Sequence, residues 1–164
     1  AQQRQGKKVA VKLKTAIPIT PLLLGLAGLL PFVWGMLTRV SSPLMMWSEL
    51  WLGNGLTGTN VQLTYGTVIM CFMSGVLWGF ATKTKQTQAI ICYSLSILPA
   101  LGVFFLVSSN TENKLTFLML GFFVLFFIDF LFFKLGLTPS WWLRLRGGLT
   151  ALVLFCLAAP HITF

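Results

Sequence analysis

The sequence predicts an all-α membrane protein: a bundle of five transmembrane helices with a short interfacial helix after the first span. Five long apolar stretches follow one another within 164 residues, and almost all charged residues lie between them. Each stretch approaches the roughly 20 apolar residues that a helix needs to cross the hydrocarbon core of a bilayer. The predicted spans are residues 17–38, 64–81, 89–107, 115–133 and 147–164. Residues 1–16 form a basic tail, and residues 17–164 form the membrane domain.

The composition argues against a soluble domain. The chain is 56% hydrophobic and 9% charged, and it contains 15 Phe. A soluble domain of this length leaves roughly a third of its extended-chain surface exposed to water, and so few charged side chains could not cover that area. The bulky aromatic residues are therefore expected to face lipid.

The positions of the basic residues predict the orientation in the membrane. The N-terminal tail and the loops after the second and fourth spans hold ten of the 12 basic residues. These are Arg4, Lys7, Lys8, Lys12, Lys14, Lys83, Lys85, Lys134, Arg144 and Arg146. Basic loops stay on the matrix or cytoplasmic side, so we expect the N-terminus there and the C-terminus on the opposite side. This pattern accounts for the net charge of +9, and no nucleic-acid partner is predicted.

The long first loop is predicted to contain a helix at residues 43–52. Pro43 suits the first turn of a helix, and Gly53 suits the position after its end. Trp47 and Trp51 lie between them and favour a helix at headgroup depth. The alternative is an irregular loop that contains two tryptophans.

Small residues and prolines mark positions of close packing or distortion. Gly66, Gly75 and Gly79 lie in the second span, and the last two form a GxxxG pattern. Glycines spaced in this way let helices approach closely, and we expect this packing within the bundle rather than against a partner. Pro31 in the first span and Pro99 in the third each remove a backbone donor and predict local distortion of the helix.

Asp129 is the one acidic residue within a predicted span. An ionised carboxylate in hydrocarbon costs roughly 2.5–3.5 kcal/mol by insertion scales, so its presence needs an explanation. We predict a structural ion pair with Lys134, Arg144 or Arg146, because Asp129 lies near the matrix-side end of its span. The alternative is a proton or ion relay, which normally needs further titratable groups across the bilayer.

Part of the basic set described above also predicts lipid binding. Five basic residues converge on the matrix face: Lys83, Lys85, Lys134, Arg144 and Arg146. Juxtamembrane basic residues attract anionic headgroups. We therefore predict a bound phospholipid such as cardiolipin near Arg144 or Arg146, with ordinary positive-inside charge as the alternative.

No set of catalytic, cofactor-binding or metal-binding residues is recognisable in the sequence. Cys71, Cys92 and Cys156 each lie in a predicted span without a CxxC motif, and they are interpreted as small apolar residues. His161 is the only His in the sequence, and one imidazole without partners cannot form a metal or haem site. Phosphate-binding and dinucleotide motifs are missing as well. We expect no enzyme activity, and no small-molecule substrate is identified.

Three segments together resemble a known family. The first is PLLLGLAGLLPF, which contains Pro21, Gly25, Gly28, Pro31 and Phe32. The second is YGTVIMCFMSGVLWG, which contains Tyr65, Gly66, Gly75, Trp78 and Gly79. The third comprises Asp129, Gly136, Pro139, Trp141 and Trp142, followed by Arg144, Arg146, Leu149 and Thr150 in LRLRGGLT. These segments are similar to the DUF3429 family of small membrane proteins from bacteria and mitochondria.

The resemblance covers about residues 17–155 and departs from the family at one position. The family often has His before the Trp of the second segment, and this chain has Leu77. The resemblance implies a five-span membrane protein that is commonly mitochondrial in eukaryotes. It implies no settled biochemical activity.

These observations predict a non-catalytic accessory subunit of a mitochondrial inner-membrane respiratory-chain or ATP synthase complex. The chain begins at Ala1 with a basic flank like that left by removal of a targeting segment. We expect the N-terminus in the matrix, the C-terminus in the intermembrane space, and a tail held by other membrane subunits. The alternatives are a transient assembly factor and a small transporter or channel. A transporter would need a polar path, and its credible lining is Asp129, Ser94, Ser96, Tyr93 and Tyr65.

Overall fold

The structure is a computed structural model that describes residues 16–108 and 113–162, and these residues contain helices and turns but no strand. In chain order the helices are α1 (Ile19–Ala27), α2 (Leu30–Val40), α3 (Ser42–Leu52), α4 (Gly58–Ala81), α5 (Gln86–Ser108), α6 (Lys114–Lys134) and α7 (Trp142–Ile162). A short 3-10 turn, Asn54–Leu56, precedes α4. Within the described residues, five helical stretches are long and apolar enough to cross a membrane, namely Ile19–Val40, Gly58–Ala81, Gln86–Phe105, Lys114–Lys134 and Trp142–Pro160. The predicted all-α membrane class is confirmed.

The first span consists of two helices rather than one. Helix α1 ends at Ala27, Gly28 and Leu29 form a turn, and Pro31 lies in the first turn of α2. A proline has no N–H to donate to the carbonyl four residues earlier, and its ring clashes with that carbonyl. In the first turn of a new helix its missing N–H costs nothing. The distortion expected at Pro31 is therefore a break between two helices.

Helix α3 confirms the helix predicted in the first loop. Pro43 lies in its first turn, and the chain leaves it at Gly53, whose φ of +78° favours glycine. Most of its apolar side chains are exposed, including Trp47, Leu50 and Trp51. Its location at headgroup depth stays a prediction.

Helices α4 and α7 begin well before the apolar stretches suggest. Helix α4 starts at Gly58 instead of residue 64, and α7 starts at Trp142 instead of residue 147. The placement of Arg144 and Arg146 in the fourth loop was therefore wrong, because both lie within α7. Hydropathy measures the free-energy cost of exposing a side chain to lipid. Arg146 and Gln62, which lie in these added turns, are instead buried against other parts of the protein.

The core is formed around α4, which packs against α2, α5 and α6. Phe32 of α2 is almost fully buried and makes edge-to-face contacts with Tyr65 and Phe122, at ring-centroid distances of 5.3 and 5.8 Å. The opposite surfaces of the helices expose bulky apolar residues, among them Phe104 and Phe123. Such an exterior suits a hydrocarbon environment, as the composition predicts.

The three glycines singled out in the second span do not share a face. A Cβ atom on Gly66 would lie 2.6 Å from Cδ2 of Leu118, so close helix packing at Gly66 is confirmed. Gly75 and Gly79 are exposed, and no described atom lies within 4 Å of a Cβ placed on either. Gly75 lies nine residues after Gly66, which is about two and a half turns of an α-helix, so the two glycines face opposite sides of α4. The expectation that Gly75 and Gly79 pack within the bundle was wrong.

Candidate functional site

A tight turn brings the end of α6 against the start of α7. Gly136 has a φ of +71°, and its N–H donates to the Phe133 carbonyl at 2.9 Å. The N–H of Leu137 donates to the Phe132 carbonyl at 3.1 Å, which completes a Schellman motif at the end of α6. The chain then reverses, so residues five positions before the end of α6 can meet the first turns of α7.

Asp129 uses both carboxylate oxygens at this junction. Its Oδ2 accepts a hydrogen bond from Nε of Arg146 at 2.8 Å, and its Oδ1 accepts one from Nε1 of Trp142 at 2.8 Å. Asp129 is 1% exposed and Arg146 is 6% exposed. The predicted ion pair is confirmed, with Arg146 as the partner among the three cations considered. The pairing supplies the compensation that a buried carboxylate requires.

The indole of Trp142 is held in place by aromatic neighbours. It packs edge-to-face on Phe80 of α4 at 5.1 Å and lies 6.0 Å from the ring of Trp141. The donor to Asp129 is thereby fixed between α4, α6 and α7.

The five basic residues assigned to lipid binding divide into two groups. Lys83, Lys85, Lys134 and Arg144 are exposed. The ammonium group of Lys83 donates to the Leu137 carbonyl at 2.8 Å, so the second and fourth loops meet at one end of the bundle. Arg146 is buried and paired with Asp129, so its assignment to a surface headgroup site was wrong.

An apolar cavity of about 390 Å³ adjoins the buried pair. Its walls come from α1 and the turn after it, the start of α2, and from α4, α6 and α7, and Arg146 and Thr150 are among its lining residues. Leu24 and Phe72 also line it, and they are 68% and 63% exposed. The cavity therefore extends from the buried pair to the apolar outer surface between α1 and α4.

Two residues that line this cavity each carry a buried polar side-chain atom without a hydrogen-bond partner in the part of the chain that the structure describes. The two atoms are Nη2 of Arg146 and Oγ1 of Thr150. Buried polar atoms are normally paired, and each unpaired one costs free energy. This arrangement, an apolar cavity whose lining residues carry unsatisfied donors, is the candidate functional site.

Residues 17–162 match the family described as "Protein of unknown function (DUF3429)". The chain belongs to the DUF3429 family. It is also similar to "Transmembrane protein 69" of Xenopus tropicalis, with 31% identity over 155 residues, which are 88% of this chain and 54% of the relative. The chain thus spans about half the length of that curated relative. No solved structure matches.

Several residues that carry the DUF3429 resemblance meet at the cavity. Pro21, Gly25 and Gly28 come from the first segment, and Arg146, Leu149 and Thr150 come from the third. A Cβ atom on Gly25 would lie 2.8 Å from Cδ1 of Leu149, so α1 and α7 approach closely there. Residues far apart in the sequence therefore form one site.

A second polar cluster, which the sequence analysis missed, lies among α2, α4 and α7. Gln62 is fully buried, and its Nε2 donates to the carbonyls of Phe32 and Cys156, each at 3.1 Å. Its Oε1 accepts from Nη1 of Arg39 at 3.1 Å. Pro160 lies four residues after Cys156 and has no N–H to give it. Two features of the sequence could have indicated this cluster. Pro160 lies within one apolar run, and Gln62 lies beside another.

The groups considered for a polar transport path make separate structural contacts. Ser96 donates to the Tyr93 carbonyl at 2.7 Å, and the Tyr93 ring lies 4.6 Å from that of Trp78. Ser94 is exposed, whereas Tyr65 packs on Phe32 and Asp129 is paired with Arg146. The structure does not bring these side chains into one described cluster.

The remaining site predictions concern cysteines, metals and the termini. Cys71, Cys92 and Cys156 are free thiols. Within residues 16–108 and 113–162, no three His, Cys, Asp or Glu side chains are grouped as metal ligands. The basic tail before residue 16 lies outside the described residues, as does the side chain of His161.

Proposed function

We propose that the protein is a non-catalytic accessory subunit of a large complex of the mitochondrial inner membrane, in the respiratory chain or the ATP synthase. Its role is helix packing, lipid binding and assembly. The observation that carries the proposal is the open glycine face of α4. Gly75 and Gly79 are exposed one turn apart, and they would let a helix of another subunit approach the α4 backbone.

The polar side chains inside the bundle support a structural role. Asp129 is bound to Arg146 and Trp142, and Gln62 is bound to backbone carbonyls and Arg39. Each of these bonds joins different helices and therefore stabilises their arrangement. The mitochondrial location rests on the DUF3429 resemblance, and the orientation rests on the distribution of basic residues.

Co-purification tests this function. The tagged native protein is expected at fixed stoichiometry with one inner-membrane complex, and Gly75→Leu is expected to lose that association because the new side chain separates the helices. Gly148→Leu is the matched control, since Gly148 is also exposed with nothing within 4 Å but lies on α7. Native protein that migrates with no complex at fixed stoichiometry would refute the proposal.

A measurement of turnover per assembled complex distinguishes a structural role of Asp129 from a role in transport. With Asp129→Asn the complex is expected to assemble and to retain its activity per assembled complex. Normal assembly with abolished transport or electron flow would instead make Asp129 a functional proton or ion site.

Anionic lipid is proposed to bind at the exposed cations. Lys83, Lys85, Lys134 and Arg144 lie at the end of the bundle where the second and fourth loops meet, and each such residue attracts an anionic surface by about 1 kcal/mol. Cardiolipin should be retained by the purified protein and reduced in Arg144→Ala. Equal retention by both proteins would contradict this part of the proposal.

A further inference from the structure

The cavity between α1, α4 and α7 is separate from the exposed cations and differs from them chemically. Almost all of its lining side chains are apolar, and the polar ones are Thr20, Trp142, Arg146 and Thr150. Trp142 already donates to Asp129. The lining includes no carboxylate and no side-chain amide. The lining side chains thus offer N–H and O–H donors, and the hydroxyl groups of Thr20 and Thr150 are the ones that can also accept.

The donors lie toward one end of the cavity. Arg146 is in the second turn of α7, and Thr150 follows one turn deeper. Consecutive spans alternate in direction, so the first and fifth spans run the same way. Gly25 of α1 lies beside Leu149, and therefore Thr20 lies near the level of Arg146. The polar end is near the membrane surface at the start of α1 and α7, and the apolar walls lie deeper.

The buried pair decides the charge of the occupant. Arg146 directs Nε to Asp129 and is neutralised by it, while Nη2 has no partner in the described chain. A second anion next to this guanidinium would also stand close to the Asp129 carboxylate and be repelled. A neutral acceptor avoids both that repulsion and the cost of desolvating a charge.

We propose that this cavity binds a neutral long-chain lipid whose head ends in a carbonyl oxygen, either an acyl ester or a quinone. The carbonyl accepts hydrogen bonds from Arg146 and Thr150, and the chain follows α1 and α4 to the outer surface between Leu24 and Phe72. A volume of about 390 Å³ holds the head and the first part of a chain. The remainder of the chain continues into the bilayer.

Competitive photolabelling of the purified full-length protein tests the binding. The probe is a long-chain fatty acid methyl ester with a diazirine on the chain, and labelled peptides are identified by mass spectrometry. The competitors are the unlabelled methyl ester, the free acid, the alkane and an alkyl quinone, all of equal chain length. Labelling is expected on α1, α4 and α7, with the ester or the quinone competing best. The stronger of these two identifies the source of the carbonyl.

Variants test the two ends of the cavity. Thr150→Val keeps the shape but removes the donor and should weaken ester competition about fivefold, the effect of one hydrogen bond. Thr116→Val, on an exposed position of α6, is its control. Leu24→Trp should obstruct the rim and abolish labelling, whereas Leu152→Trp, 45% exposed and outside the cavity, should not.

Three results would overturn the proposal. An alkane that competes as well as the ester shows a nonspecific apolar groove. A free acid that outcompetes the ester shows an anion site. Labelling unchanged in both Thr150→Val and Leu24→Trp places the lipid elsewhere.

Discussion

Gln62 shows how one buried side chain can replace missing backbone hydrogen bonds. Within hydrocarbon a free carbonyl has no water to bind, so the break in bonding caused by Pro160 must be repaired by protein. The Gln62 amide does this by donating to the Cys156 carbonyl, and Arg39 donates to the Leu157 carbonyl at 3.2 Å. Polar residues of the first and second spans therefore complete the end of the fifth.

Replacement of Gln62 tests this account. Gln62→Leu should destabilise the protein by about 1–3 kcal/mol, because it leaves the Cys156 carbonyl buried and unpaired. Pro160→Ala restores an N–H four residues after Cys156, so Gln62→Leu should cost less in that background. Unfolding in a fixed detergent mixture, analysed as a double-mutant cycle, measures the coupling. Strictly additive effects would show that the two residues act independently.

The ion pair makes a different prediction because both partners carry charge. Arg146→Met leaves the Asp129 carboxylate uncompensated and should cost about 3–5 kcal/mol, the usual effect of breaking a buried pair. Asp129→Asn should cost less, because it keeps the shape and an acceptor for Trp142. The double variant Asp129→Leu with Arg146→Met should recover much of the loss, since no charge remains buried. The same unfolding assay applies, and an Arg146→Met protein as stable as native would contradict the structural role.

The sequence could narrow the partner of Asp129 to three cations but could not choose among them. All three cations lie near the same membrane surface, and their positions in the chain show only that each could reach Asp129. The Schellman turn at Gly136 sets the register of α7 against α6, and this register selects Arg146. The cavity was unpredictable for the same reason, because α1, α4 and α7 meet only through tertiary packing.

At the scale of the helix, apolar length located every span but not its ends. The first turns of α4 and α7 carry polar residues that hydropathy assigns to loops, and protein contacts keep them helical. The glycines of α4 are the opposite case. Their spacing already places Gly66 and Gly75 on opposite faces, so helical periodicity could have separated a packing glycine from an exposed one.

These two glycines form a matched pair for a stability measurement. Gly66→Ala should destabilise the isolated protein by about 1–3 kcal/mol, because its Cβ overlaps Leu118 in a filled core. Gly75→Ala meets no described neighbour and should be neutral or stabilising by up to about 1 kcal/mol, because alanine favours helix. Unfolding of the two variants in the same detergent gives the comparison. Equal effects would mean that the α4–α6 contact does not limit stability.

At the scale of the whole molecule, the structure divides the two surfaces of the bundle by chemistry. Lys83 and Lys85 follow α4, Lys134 ends α6 and Arg144 lies in the first turn of α7, so these exposed cations gather at one end. Helix α3 and the 3-10 turn lie at the other end, between the first and second spans. The buried Arg146 contributes nothing to this surface, yet the asymmetry persists without it.

This asymmetry predicts the topology in the membrane. Basic segments stay on the matrix or cytoplasmic side, so position 85 should face that compartment and position 54, in the turn after α3, should face the other. In a background with Cys71, Cys92 and Cys156 replaced by Ala, Lys85→Cys and Asn54→Cys each supply one exposed thiol. An impermeant maleimide added to intact mitoplasts should label Asn54→Cys at once and Lys85→Cys only after permeabilisation. The reverse pattern would invert the orientation, and equal labelling of both positions before permeabilisation would show that the two loops lie on the same side. Such a result would be incompatible with five spans, because the single helix α4 separates the two positions and must cross the membrane between them.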